Sequence, residues 1–154
     1  MLGIDLGTTN SVVAEMVWPP GEPLPDRVHC LEIDQPTRDG TYTGYLVPSV
    51  IAVHGGKVMV GEGAKRLCAD IAKYKLQQNR NLFCECKNDI GTNITYHKAP
   101  EGFRSPAEIG GKVLGFLYES AREFGPDLPN CRYTILCWLT KVRIWTATLL
   151  NSCD

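Results

Sequence analysis

Hydrophobic positions alternate at the start of the chain. Leu2, Ile4 and Leu6 are spaced by Gly3 and Asp5, the period of two that puts every second side chain on one face of a strand. Gly7-Thr8-Thr9-Asn10 interrupts the alternation, and residues 11–17 resume it with Val12, Val13 and Val17, so the spacing predicts a hairpin. Pro19, Pro20, Gly21, Pro23 and Pro25 predict a surface loop, followed by a short strand over residues 28–33. Residues 34–44 are polar and are expected to form a connection. Residues 46–53, the turn His54-Gly55-Gly56-Lys57 and Val58-Met59-Val60 then predict a second hairpin.

From Gly61 the period lengthens. Ala64, Leu67, Cys68 and Ile71 fall at helical spacing and predict one short helix to about Tyr74. Residues 75–100 are irregular apart from a predicted strand over 93–97. Ser105-Pro106-Ala107-Glu108 is a capping box with proline at the first helical position, which satisfies two orphan amides and presets φ. Ile109, Val113, Phe116, Leu117, Ser120 and Phe124 line one face of that helix, which Gly125-Pro126 should stop. Another strand is expected over residues 132–137. Strands and helices together give an α/β chain without internal repeats.

The chain has 154 residues, the size of one domain or of a piece of a larger one. Sixteen Lys plus Arg against seventeen Asp plus Glu leave a formal charge of −1, which offers no broad phosphate-neutralising surface and excludes nucleic-acid binding by bulk charge. A hydrophobic content of 44% excludes a disordered polar tail. Met1-Leu2-Gly3-Ile4-Asp5 lacks the pattern of a secretory signal, and the apolar run at residues 135–139 is far short of the ~20 residues of a spanning helix, so no membrane role is expected. Seven cysteines without regular spacing fit reduced thiols in a cytoplasmic compartment. Cys84-x-Cys86 has no second pair, and His29, His54 and His97 do not complete a zinc spacing.

Chemistry concentrates at Asp5-Leu6-Gly7-Thr8-Thr9-Asn10-Ser11. Gly7 permits a sharp turn and close approach to a ligand, and the amides and hydroxyls of Thr8 and Thr9 can serve as phosphate donors. Asp5, at the end of an apolar strand, is placed to hold the water shell of Mg²⁺, which commonly takes one or two carboxylates beside phosphate oxygens. Gly and Thr are also routine turn residues, so an ordinary hairpin accounts for the same string equally well.

The string Ile4-Asp5-Leu6-Gly7-Thr8-Thr9-Asn10-Ser11 resembles the first phosphate-binding signature of the heat-shock protein 70 chaperones, within the actin, hexokinase and chaperone ATPase superfamily. Further matches follow in the same order. Val47-Pro48-Ser49-Val50-Ile51 resembles the family's Pro-Ser strand, and Val60-Gly61-Glu62-Gly63-Ala64-Lys65-Arg66 its Gly-x-x-Ala-Lys helix start. Phe83-Cys84-Glu85-Cys86-Lys87-Asn88-Asp89-Ile90-Gly91 is similar to the segment with the catalytic lysine, and residues 105–124 resemble the long helix of the upper subdomain. The resemblance implies an actin/hexokinase-like (ribonuclease H-like) lobe, a mixed sheet with flanking helices. It further implies ATP or ADP as ligand and Mg²⁺ held by Asp5 through water. Gly7, Thr8, Thr9 and Asn10 would form the phosphate turn, although Asn10 departs from the aromatic residue of some members. Lys87 would approach the γ-phosphate and the attacking water, with Asp5 as its catalytic partner. A cationic ammonium near developing phosphoryl charge is sound chemistry; apart from the resemblance, Lys87 reads as a solvated lysine beside Glu85 and Asp89. Client polypeptides and co-chaperones are the partners implied.

The resemblance covers residues 1–135 and stops there. The segment 136–154 has no family counterpart and carries two of the three Trp residues, Trp138 and Trp145. A loss at one point suggests a reading-frame change or premature end near Ile135. The 154 residues contain no Asp-x-Gly-Gly-Gly loop and no adenosine motif. The expectation is an incomplete ATP-binding chaperone lobe with little or no hydrolysis alone. The alternatives are a non-enzymatic module that binds a nucleotide-exchange factor or a full-length chaperone, a chain that does not fold stably by itself, and a sugar kinase of the same superfamily.

Overall fold

The computed structural model describes residues 2–17, 21, 23 and 26–124, and the backbone of two strands at 133–139 and 142–149. Three strands come first: β1 (Leu2–Asp5), β2 (Asn10–Val17) and β3 (Arg27–Cys30). They are followed by β4 (Ile33–Thr37), β5 (Gly40–Gly44), β6 (Val47–Pro48), β7 (Ile51–His54) and β8 (Lys57–Val60). Helices α1 (Glu62–Cys68) and α2 (Ile71–Tyr74), the short strand β9 (Leu82–Phe83) and a 3-10 helix (Cys86–Asp89) lead to α3 (Pro106–Arg122). Two strands, β10 (Tyr133–Leu139) and β11 (Val142–Leu149), complete the order.

The largest sheet runs β11-β10-β1-β2-β3, with β6 attached to the start of β2. It is mixed: β10 lies parallel to β1, whereas β1 and β2 form the hairpin that alternation predicts. Leu2, Ile4, Leu6 and Val13 are buried and share one core with Ile109, Val113, Leu117 and Ala121 of α3. A satellite cluster joins Ala52 of β7 to Ala64, Leu67, Leu76 and Leu82. The chain is thus α/β with a mixed sheet.

The second predicted hairpin is present as β7 and β8, paired Ile51↔Val60 to His54↔Lys57. Several expectations need correction. The strand expected over 28–33 is split between β3, which ends at Cys30, and β4, which begins at Ile33. The polar connection at 34–44 is a two-stranded sheet of β4 and β5. Its alternation was concealed because a buried position is occupied by Gln35, whose amide is engaged at both ends: Nε2 donates to Leu46 O at 3.1 Å and Oε1 accepts from Glu62 N at 2.8 Å. The single helix expected to Tyr74 is two, because the Asp70 carboxylate accepts from the Lys73 amide and starts α2 afresh, with Ile71 46% exposed. Residues 93–97 form no strand; the Tyr96 amide donates to Arg104 O, and the Tyr96 ring packs against Phe83 from a loop.

Helix α3 keeps its capping box, with the Glu108 amide donating to Ser105 Oγ at 3.2 Å and Glu108 Oε2 accepting from the Ser105 amide. Its buried stripe ends at Ala121 rather than Phe124, which is 53% exposed beyond the helix end at Arg122. Gly125-Pro126, Pro19, Pro20 and Pro25 lie outside the described residues.

Candidate functional site

The turn between β1 and β2 is fastened from two sides. A Cβ on Gly7 would stand 1.9 Å from the carbonyl oxygen of Asn10, so the chain closes on itself where no side chain fits. The Gly7 amide donates to Ser11 Oγ at 3.3 Å, and Ser11 Oγ lies 2.9 Å from Ser49 Oγ. The Ser49 amide in turn donates to Thr9 O at 2.9 Å, beside the pairing of Asn10 with Pro48 and Ser11 with Val47. The Pro-Ser segment therefore acts as a clasp on the turn. Asp5 is exposed at the end of β1, Thr8 is half-buried, and Thr9 and Asn10 are exposed.

The 3-10 helix that carries Lys87 meets the same turn through Asn88. Thr8 Oγ1 donates to Asn88 Oδ1 at 3.3 Å, across eighty positions of sequence. Glu85 opens this helix with a φ of 57°, and Ile90 after it rests on α3, where a Cβ on Gly110 would come within 3.0 Å of Ile90 Cδ1 and 3.8 Å of Leu6 Cδ2. Gly110 thus brings the end of β1 and the 3-10 helix against one point of α3. Beneath them, Cys86 and Tyr96 are buried. Burial pushes both the Cys86 thiol and the Tyr96 phenol up, and the proximity of each to the other adds to the rise for Tyr96, so this floor stays uncharged.

Of the six residues singled out from sequence, Gly7, Thr8, Thr9 and Asn10 form one turn with Asp5 at its foot. Lys87 sits half-buried on the helix that Thr8 touches. Among the described residues, neither Asp5 nor Lys87 forms an ion pair, with each other or with any other group. Ser11, Ser49, Asn88 and Gly110 carry structural duties here that sequence reasoning did not assign. Ser11, Ser49 and Asn88 each lie inside a quoted motif, and Gly110 inside the segment 105–124, and that was the available signal. Chemically, the turn carries backbone amides and the hydroxyls of Thr8 and Thr9, groups of the kind that can donate to an anion such as phosphate. Among the described residues there is no group of three or more His, Cys, Asp or Glu fit to hold a metal by protein ligands alone, and no helix is long and apolar enough to cross a membrane.

No protein-family model matches the chain. Curated proteins do. The chain is 32% identical over 136 residues to chaperone protein DnaK of Metamycoplasma hominis, covering 88% of this chain and 19% of that one. It is 33% identical over 137 residues to chaperone protein DnaK of Mycoplasmopsis pulmonis, again 88% and 19%. Against the chaperone protein HscA homolog of Pseudomonas paraeruginosa it is 29% identical over 151 residues, 87% of this chain and 22% of that protein. The chain therefore spans about a fifth of the length of the curated relatives it matches. Likeness to two kinds of heat-shock protein 70 chaperone along most of its length makes this chain a member of the heat-shock protein 70 family.

Proposed function

We propose that the chain is the phosphate-turn lobe of an actin/hexokinase-like ATPase unit, the 1–135 lobe of a cytoplasmic chaperone that acts on client polypeptides with co-chaperones. The observation that carries this reading is the bond from Thr8 to Asn88, which ties the Gly7 turn to the helix bearing Lys87. A phosphate placed on the turn would then have hydroxyl and amide donors from one element and an ammonium from the other. The residues fit a nucleotide with its metal: Gly7 lets the turn close tightly on Asn10, Thr9 is exposed, and the Asp5 carboxylate is exposed and without an ion pair among the described residues. Mg²⁺, when bound with ATP or ADP, would neutralise phosphate charge and be held by Asp5 through its waters.

In this reading Thr8, Thr9 and the amides after Gly7 bind phosphate, with Asn10 closing the turn. Lys87 supplies positive charge where negative charge develops during phosphoryl transfer. These groups make up one wall. Phosphate held on one side remains in water, where each charge contact is weakened by screening. The 154 residues alone should bind MgADP weakly and turn over MgATP little or not at all.

Calorimetric titration of the chain with MgADP and MgATP, beside Asp5→Ala and Lys87→Ala, is the test. Weak binding that falls in both variants supports the reading. A titration unchanged by either substitution, or brisk hydrolysis by the isolated chain, overturns it.

A further inference from the structure

A second polar hollow lies away from the phosphate turn and shares no residue with it. It measures about 330 Å³ and is enclosed by the β4–β5 turn, α1 and α2, with Gly63 and Leu67 among its lining residues. Three cationic side chains face it, Arg38, Arg66 and Lys73, against one carboxylate, Asp39. Arg66 is partly compensated, since its Nε lies 3.1 Å from Glu62 Oε1. Arg38 and Lys73 take part in no ion pair among the described residues.

Both are nonetheless held in place. Arg38 Nη1 donates to the hydroxyl of Tyr74 at 2.6 Å, and the ammonium of Lys73 stands 5.4 Å from the centre of the same ring. The walls are fixed as well. A Cβ on Gly63 would meet Pro36 O at 2.2 Å, so α1 presses directly on β4, and buried Gln35 bonds the first amide of α1. Arg38, two residues beyond Pro36, is thereby suspended over α1 and α2. Two positive groups braced on a tyrosine, with no carboxylate paired to either, are arranged for an anion that is not part of the chain. A guanidinium fork with an ammonium beside it suits the several oxygens of a tetrahedral oxyanion better than the two of a carboxylate.

We propose that the cleft between the β4–β5 turn and α1–α2 is a binding site for a phosphate-class oxyanion, gripped by Arg38 and Lys73 with Arg66 at its rim. It is independent of the nucleotide reading.

The test is a residue-resolved NMR titration of the 154-residue chain with inorganic phosphate at constant ionic strength, with sodium acetate as the carboxylate arm. Saturable shifts at the amides of Asp39, Gly63, Leu67 and Tyr74, stronger for phosphate than for acetate, are expected. Arg38→Gln and Lys73→Gln should each weaken the affinity about tenfold, the scale of one lost charge-assisted hydrogen bond. Tyr74→Phe keeps the ring and should weaken it less. Arg38 and Lys73 are both exposed, so both variants should fold, and Lys73→Gln serves as the comparison for Arg38→Gln. Shifts confined to Gly7, Thr8 and Thr9, no saturable shift, equal response to acetate, or unchanged affinity in Lys73→Gln would each overturn the assignment.

Discussion

Ser11 Oγ and Ser49 Oγ lie 2.9 Å apart with both residues buried, and through them the turn after β1 is joined to the segment before β7. Each hydroxyl has one proton and two lone pairs. Ser11 Oγ also accepts from the Gly7 amide, so removal of Ser49 leaves the Ser11 hydroxyl with that one bond and the rest of its hydrogen-bonding capacity unmet in a dry place. Ser49→Ala should cost about 1–3 kcal/mol. The double variant Ser11→Ala/Ser49→Ala should cost less than the sum of the two single variants, because no hydroxyl is left without its partner. Urea unfolding of the four proteins checks this; additive effects would show that the pair is not coupled.

Gly7 and Gly111 should respond to alanine in opposite directions. At Gly7 the new Cβ would overlap Asn10 O, a backbone atom that cannot swing aside, so Gly7→Ala should destabilise by about 1–3 kcal/mol or more and abolish phosphate binding at the turn. At Gly111, on the exposed side of α3, a Cβ meets nothing within 4 Å. Gly111→Ala should stabilise by up to about 1 kcal/mol, the helix-propensity difference. Thermal melts of both variants decide it.

The elements legible in the sequence were those whose pattern is carried by apolar side chains or by capping chemistry. Leu2, Ile4 and Leu6 announce β1 by alternation, and Ser105 with Glu108 announces α3 by its box. The β4–β5 sheet was not legible, because its buried position holds Gln35, satisfied by Leu46 and Glu62 from elsewhere in the chain. Hydropathy cannot anticipate a partner that only the fold delivers. The same limit applies to the site. The turn residues could be read from their string, yet the tie from Thr8 to Asn88 is a tertiary event with no local signature. Phe124 was misplaced because helical spacing continues on paper past Arg122, where the helix ends.

Thiol chemistry should separate the cysteines by burial. Cys84 packs against the satellite core and its thiol is pushed up to about 12, first by burial and then by nearby Cys68, whose own thiol burial also pushes up. Cys30 is exposed. Since the thiolate is the reactive form, iodoacetamide at about pH 8 should label Cys30 well before Cys84, and denaturant should remove the difference. The sign for stability follows from the same shift. A folded thiol that holds its proton to about 12, against an ordinary value of 9.0, contributes stability that is whole below pH 9.0 and is lost as pH rises toward 12. Peptide mapping of labelled sites and alkaline unfolding curves of the protein and Cys84→Ala measure both; equal labelling of Cys30 and Cys84 in the folded chain would contradict the prediction.

Thr8 has a single proton to give, and in the structure it goes to Asn88 Oδ1. A phosphate oxygen on the turn competes for that proton. Asn88 can accommodate the change, because rotation of its amide presents NH₂ in place of oxygen and lets Thr8 accept from Asn88 while donating to phosphate. An aspartate cannot, since its carboxylate only accepts and adds negative charge beside the anion. Asn88→Asp should therefore weaken MgADP binding about tenfold or more, the worth of one hydrogen bond to a charged group. Asn88→Ala frees the Thr8 hydroxyl and should leave binding within a few-fold of the parent. Asn88 is exposed, so both variants should fold with stability within about 0.5 kcal/mol of the parent, which separates a binding defect from a folding one. Titration calorimetry with MgADP, paired with urea unfolding of the same samples, reads the two quantities apart. Equal affinity in Asn88→Asp and Asn88→Ala would mean that the Thr8 proton plays no part in holding phosphate.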